Sequence, residues 1–394
     1  MTRRDCLRMG GILGCALISS VASAFDAPGA PLVDIIDPDT PQSEALDHIL
    51  ARAGLTAGNV PGAAVLVAND NRVLFQRGYG VTDLLSLHQI NSGTNFRLAS
   101  CTKQFTAMAI MLLVHDGKLR YEDRLTDIFR DFPEYGRAIS IRHLLNHTSG
   151  LEDYEDLMPP QNHKVPVEQV QINDDGVLEL LDRQKSTKFN PGSKWAYSNS
   201  GYVLLGLVVQ KISGHRFPDF LHDRIFQPLH MNDTVAHVRG KDEVPNRAFG
   251  HTLEDKSWVQ TDQSPTSATL GDGGIYSSLD DLAKWDQALR RNTLLSQKEM
   301  QPALTPVTVP EGRVTEPDGS LAAYGFGWFL NPYRDHQRTW HYGETVGFRT
   351  TIQRFIHDDL AIVILCNRAD MNPSELALQV ADLFLQRSTR ARQL

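Results

Sequence analysis

Ser100 and Lys103 open the stretch Asn95-Phe-Arg-Leu-Ala-Ser-Cys-Thr-Lys-Gln-Phe-Thr-Ala-Met-Ala-Ile-Met-Leu-Leu-Val114, which reads as a loop turning into a helix. The helix is apolar nearly all round, so burial is expected. A three-residue spacing stacks a hydroxyl and an amine on one helical face. Burial disfavours the charged amine, which makes it a better proton acceptor for the serine hydroxyl. A helix start adds N–H groups where an oxyanion would form. Ser100 also stands where an N-cap would be, so the pair taken alone is equally a capping serine and an outward-reaching lysine. No other serine in the chain has Lys three residues on. Cys101 is a second conceivable nucleophile, but it points about a third of a turn away from the Lys103 face.

Two further polar clusters could serve such a pair. Tyr197-Ser198-Asn199 lies in a Gly/Ser-rich loop ahead of a helix, and no other tyrosine has Asn two residues on. A phenol with a cationic neighbour can carry a lowered pKa and act as a base, while an Asn amide can hold a substrate carbonyl or orient a lysine. The same tripeptide also fits a packed ring and an Asx turn. His341-Tyr342-Gly343 ends an apolar strand, where a glycine lets backbone approach a ligand and an edge N–H could complete an oxyanion hole. His115-Asp116-Gly117 has the same pattern at an evident helix end, so this third cluster says little by itself.

The elements that must position these residues follow from periodicity and turn chemistry. Helical spacing runs from Glu44 to Ala53, and the runs 61–68 and 72–77 flank Asn69-Asp70-Asn71 as a β-hairpin. The helix after Ser100 stops at Asp116-Gly117. A helical middle follows, with helices expected over 141–146, 177–184, 201–212 and 278–290. Acidic and Pro-rich loops at 152–160 and 305–320 separate them. Strands are expected at 324–330, 336–342, 349–356 and 360–366, and a closing helix at 373–386. The pattern implies an α/β (α+β) class: an antiparallel sheet made by both chain ends, flanked by helices, with an inserted helical subdomain. The α/β part is placed at about 42–115 and 321–390, and the insertion at about 116–320.

In the order S-x-x-K, Y-x-N, H-x-G, the three clusters resemble the serine hydrolases of the class C β-lactamase and penicillin-binding protein superfamily. The resemblance also covers His143-Leu-Leu-Asn-His147-Thr-Ser-Gly150-Leu151, Gly273-Gly274-Ile-Tyr-Ser277-Ser-Leu-Asp-Asp-Leu-Ala, Tyr324-Gly-Phe-Gly327-Trp328, and Gly347-Phe-Arg with the strand ending Leu365-Cys-Asn367. It implies a β-lactamase/transpeptidase-like fold over 25–394 and acyl transfer. Ser100 would be the nucleophile, Lys103 would share its proton, and Tyr197 would act as general base and then as acid to the leaving group. Asn199 would hold the acyl-side amide, and His341 would occupy the place of the third-motif cation. Gly343 belongs to the same edge, and the N–H groups of Ser100 and Glu344 would bind the oxyanion. No metal or cofactor is implied: His143 and His147 have a helical-pair spacing, but Leu144 stands where a zinc-protease motif needs Glu.

Where β-lactamases usually have Lys-Thr/Ser-Gly, this chain has a histidine open to being neutral, a bulky Tyr342 and an acidic Glu344, so recognition of an anionic β-lactam should suffer. Arg349 could replace the missing cation or pair with a nearby acid. The leading expectation is an esterase- or D-amino peptidase-like hydrolase acting on an ester, peptide or amide. The alternatives are a true class C-type β-lactamase and a penicillin-binding sensor without efficient turnover.

Composition bounds the setting. The 394 residues are 41% hydrophobic and 22% charged, with net charge −8, so nucleic acid and anionic membranes are poor partners and a small-molecule or peptide substrate is expected. Arg3, Arg4 and Arg8, the apolar run Ile12 to Val21, and Ala22-Ser23-Ala24 read as a cleaved export signal over 1–24 with a twin-arginine-like start, hence a periplasmic or secreted protein. The apolar run is too short for a stable membrane span. Leu13 is bulky for lipoprotein processing at Cys15. Residues 25–41 read as a loose lead-in. After cleavage only Cys101 and Cys366 remain, and both are expected as buried free thiols. The sequence assigns no oligomeric state.

Overall fold

Residues 63–69 and 360–366 are almost wholly apolar, and since alternate side chains of a strand face opposite ways, each segment demands cover on both sides. The computed structural model describes residues 41–56, 58–70, 72–160, 165–316 and 319–385, and it makes those segments neighbouring central strands. The expected export signal at 1–24, the lead-in up to residue 40 and the end of the closing helix at 386 lie outside the described residues.

The strands are β1 (Ala63–Asn69), β2 (Arg72–Tyr79), β3 (Phe96–Arg97), β4 (Val235–Ala236), β5 (His251–Glu254), β6 (Ser257–Gln260), β7 (Ile275–Ser277), β8 (Arg338–Thr345), β9 (Phe348–Phe355) and β10 (Leu360–Cys366). Five of them form an antiparallel sheet in the order β2-β1-β10-β9-β8, with Val65 opposite Ile364 and His341 opposite Ile352. Ala63, Val65, Val67, Ile362, Ile364 and Cys366 face Leu46 and Leu50 of the helix Pro41–Arg52 and Leu376 and Val380 of the helix Pro373–Ala381. The alternate residues Ala64, Leu66, Val363 and Leu365 face the larger core, built around the helices Lys103–His115 and Asn199–Ser213.

The Lys103–His115 helix is buried from Lys103 to Leu113, as its unbroken apolar surface requires. It ends where expected, with Gly117 left-handed at φ +69° and the Gly117 N–H donating to the Val114 carbonyl at 3.0 Å. Ser140, Ser198 and Ser278 each accept from a backbone N–H in the first turn of the helix they precede.

Three local expectations fail. Ser100 is not a cap: it lies inside a 3-10 turn, Ala99–Thr102, that leads into the helix, and neither Leu98 nor Thr102 makes a side-chain cap. The segment 324–330 is not a strand but a turn tied by the isolated pairings Tyr324–Phe329 and Phe329–Trp340. Its glycines explain why: a Cβ at Gly325 would lie 1.9 Å from the Ala303 carbonyl oxygen and one at Gly327 would lie 2.7 Å from that of Lys103. The chain also carries short strands, most of them in its middle, that periodicity did not reveal. These are a small β3-β7-β4 sheet and the hairpin β5–β6, which turns at Asp255-Lys256 with φ of 45° and 68°.

Candidate active site

Ser100 is held by its neighbours rather than by a cap. Ala99 before it is left-handed at φ +47°, a costly conformation for a residue with a Cβ, and the surroundings fix it. The Leu98 N–H donates to the Ile275 carbonyl at 2.8 Å, and the Ile275 N–H donates to Thr102 Oγ1 at 3.2 Å. From the other side, Thr350 Oγ1 donates to the Leu98 carbonyl at 2.9 Å. β8 comes so close that a Cβ at Gly343 would lie 2.1 Å from that same oxygen. The glycine of the third cluster therefore admits the protein's own backbone beside Ser100. The 3-10 turn is thus gripped between the small sheet and the edge of the large one, with Ser100 itself partly exposed.

One helical turn on, Lys103 is wholly buried. Its Nζ donates to Ser100 Oγ at 3.0 Å, Asn199 Oδ1 at 2.8 Å and the Asp272 carbonyl at 3.0 Å. It lies 4.9 Å from the centre of the Tyr197 ring and 5.6 Å from that of Tyr202. Burial pulls its pKa down to about 8, against the opposing charges of Asp272, Asp153 and Glu155. Its unprotonated fraction therefore grows as pH rises toward 8, well below the range of an exposed lysine, and the three acceptors fix the nitrogen beside one hydroxyl.

Tyr197 and Asn199 arrive together from the start of the Asn199–Ser213 helix. The Tyr197 hydroxyl oxygen is buried without a hydrogen-bond partner of good geometry, and burial pushes its pKa well above the ordinary value while the Ser100 hydroxyl works the other way. This reverses the expectation that a cationic neighbour would lower it: desolvation outweighs the charge. The residue is a phenol at working pH, able to relay or donate a proton. Asn199 Oδ1 orients Lys103, its Nδ2 donates to Glu155 Oε1 at 3.3 Å, and its N–H donates to Asp153 Oδ2 at 2.8 Å.

The third cluster is less like a cation site than its position implies. His341 is fully buried, with Nδ1 2.6 Å from the Tyr342 carbonyl and Nε2 3.1 Å from the Tyr324 hydroxyl. Burial, then the nearby Lys103 charge, pulls its pKa down to about 3, so the ring is neutral. Its centroid lies 6.2 Å from that of Tyr197, which makes it a wall behind the site. The Glu344 side chain is exposed and pairs with Arg349 at 2.9 Å, so this arginine is committed to an acid. Cys101 faces away, its thiol donating to the His341 carbonyl at 3.4 Å and its pKa raised to about 12 by burial. Cys101 and Cys366 are both free and buried. His143 and His147 each accept from a different backbone N–H, of Ser140 and of Ser198.

Sequence reading missed the acids around Lys103. Asp153 and Glu155 flank the buried Tyr154, and their pKa values are raised chiefly by burial. Asp272 lies in Gly271-Asp272-Gly273-Gly274, one residue before the framework stretch recognised in the sequence. An acid among glycines was the available signal. His147 was also missed as a packing partner: its ring lies 4.4 Å from that of Tyr197 and 4.6 Å from that of Tyr324.

Residues 48–386 match the family model described as Beta-lactamase. Penicillin-binding protein 4* of Bacillus subtilis (strain 168) is 32% identical over 328 residues, covering 80% of this chain and 70% of that protein. The D-amino acid amidase from Ochrobactrum anthropi SV3, in complex with L-phenylalanine amide, is similar in structure, with TM-score 0.71 and 26% identity, over 87% of this chain and 98% of its own. EstCE1, a hydrolase with promiscuous acyltransferase activity, aligns at TM-score 0.71 and 21% identity over 87% and 98% of the two chains, a likeness of fold. The mixed α/β architecture with an antiparallel sheet, expected from the sequence, is the one these proteins share.

Proposed function

The chain belongs to the beta-lactamase family of serine hydrolases, and from that premise we propose that it is an exported hydrolase that opens an ester, peptide or amide through an acyl-Ser100 intermediate. The carrying observation is the 3.0 Å hydrogen bond between Ser100 Oγ and the buried amine of Lys103. In this reading Lys103 takes the hydroxyl proton as Oγ bonds to the carbonyl carbon, and the N–H groups of Ser100 and Glu344 stabilise the resulting oxyanion. The tetrahedral adduct collapses, the bond to the leaving group breaks, and Tyr197 passes that group a proton. Water then adds to the acyl-enzyme, giving up a proton to the same pair, and the acid product leaves with Ser100 restored. No step needs a metal or cofactor. Export rests on the charge, apolar and small-residue pattern of residues 1–24. The described residues include no helix long and apolar enough to cross a membrane.

The electrostatics support neutral substrates over anionic β-lactams. His341 is neutral, Arg349 is paired with Glu344, and Asp153 and Glu155 border Asn199. A substrate carboxylate would meet acids and a neutralised arginine. The purified mature protein is expected to turn over p-nitrophenyl esters far faster than nitrocefin, and a fluorophosphonate is expected to label Ser100. Efficient nitrocefin hydrolysis would favour a true β-lactamase, a stable unreleased penicillin adduct would favour a sensor, and the absence of any adduct would end the proposal. Cys101→Ala is expected to keep ester kcat/KM within a few-fold of wild type, because its thiol points into β8 and β9.

A further inference from the structure

The carboxylate of Asp272 has no evident structural employment that a neutral residue could not supply. The residue is buried, with Oδ2 accepting from the Tyr154 hydroxyl at 3.1 Å and Oδ1 buried without a hydrogen-bond partner. Among the described residues it has no salt bridge. Burying a carboxylate on one good hydrogen bond is costly, so a compensating interaction is to be sought nearby. Among the described residues, the cationic side chain bonded to this residue is Lys103, whose Nζ donates to the Asp272 carbonyl.

The loop that carries Asp272 is clamped independently of its carboxylate. Thr106 Oγ1 donates to the Gly271 carbonyl at 2.7 Å, the Leu270 N–H donates to Asp174 Oδ1 at 3.0 Å, and a Cβ at Gly271 would lie 2.3 Å from the Tyr202 carbonyl oxygen. Backbone placement is thus secured from three helices, leaving the acid's charge unexplained by folding.

Resting on the acyl-Ser100 reading, we propose that Asp272 is a positioning residue for Lys103, its carbonyl fixing the amine beside Ser100 and its carboxylate, steadied by Tyr154, serving as the buried countercharge that governs how tightly the amine keeps its proton. Other groups face Lys103, and none does both. Asp153 and Glu155 also favour its ammonium form, but more weakly than Asp272. Cys101 carries no charge at working pH, since burial holds its thiol near 12. The neutral rings of His147 and His341 and the phenols of Tyr197 and Tyr202 surround the amine without offering an anion. Asp272 is itself faced by Asp174, whose pKa burial raises to about 8, and by Tyr154.

The test is the pH profile of ester kcat/KM for the full mature protein carrying Asp272→Asn or Asp272→Glu. Lys103 must be unprotonated to accept the Ser100 proton, so the wild-type rate rises with pH. Removing the countercharge makes the ammonium less stable, and the acid limb of Asp272→Asn should move to lower pH by about one unit. At pH 6 the variant should then keep about tenfold more of its own plateau rate than wild type keeps of its own. Its plateau should fall several-fold, because a weaker base receives the proton. Asp272→Glu, which retains the charge, should hold the limb at the wild-type position. Asp272→Ala removes the same charge and replaces the amide variant in the assay should that one not fold. An acid limb that stays put in the neutral variants, with a uniform loss at all pH values, would reduce Asp272 to a structural residue and overturn the proposal. A wild-type protein without ester turnover or a Ser100 adduct would overturn the acyl-enzyme reading instead, so the two failures are distinguishable.

Discussion

Ser100→Ala is expected to lower ester turnover by on the order of 10^4- to 10^6-fold, the range seen when a nucleophile is deleted from an intact catalytic unit. The fold should be indifferent to the change. Ser100 is partly exposed, and no cap depends on its hydroxyl. The turn around it is fixed by the Leu98, Thr102 and Thr350 hydrogen bonds, which involve neither Ser100 atoms nor its side chain. Lys103 keeps its bonds to Asn199 and Asp272. No neighbouring nucleophile can step in: the Cys101 thiol is buried, directed at the His341 carbonyl and held protonated up to about 12. Steady-state ester hydrolysis, intact mass after fluorophosphonate treatment and a thermal melt check the three parts. A variant that melts like wild type, takes up no label and shows only background hydrolysis is the expected result. Retention of a few per cent of the activity would remove Ser100 from the chemistry.

The contrast between Ser100 and Cys101 shows what the sequence could say about this site. A three-residue spacing fixes which side chains share a helical face, so the Ser100–Lys103 contact was legible, as was the burial of a helix with no polar side. The unbroken apolar runs at 61–68 and 360–366 likewise made strands legible. What was hidden depends on distant segments. The 3-10 turn at Ser100 exists because β7, β8 and β9 grip Leu98 and Thr102, a contact with no local signature. The turn at 324–330 has the composition of a strand, and only the closeness of Ala303 and Lys103 shows why its glycines cannot lie flat. The direction of the Tyr197 shift followed the same rule, since a motif announces a cationic neighbour but not how much solvent the fold strips away. Asp272 meets Lys103 from 169 residues away and Glu155 meets Asn199 from 44 residues away, separations that no local pattern spans.

Lys103→Ala is expected to cost about 10^2- to 10^4-fold in ester kcat/KM, the usual worth of a positioned general base. Lys103→Arg should do no better. An arginine keeps the positive charge but cannot be deprotonated at working pH, so it cannot receive the Ser100 proton. The wild-type profile supplies the complementary reading. With the amine pulled to about 8 by burial, the fraction of unprotonated Lys103 grows as pH rises, and kcat/KM should climb through that value before levelling. The limb should vanish in both variants, leaving a low and flat rate. The alternative assignment gives the opposite pattern: if Lys103 acted only as a charge holding Tyr197 as phenolate, Lys103→Arg would restore activity and the wild-type rate would not depend on losing the lysine proton. The buried phenol argues against that alternative, because removing water raises its proton affinity while lowering that of the amine 4.9 Å from its ring centre. Desolvation acts on the two groups with opposite sign, and on the proposed reading this divergence lets the amine take the Ser100 proton while the phenol keeps its own until a leaving group draws on it.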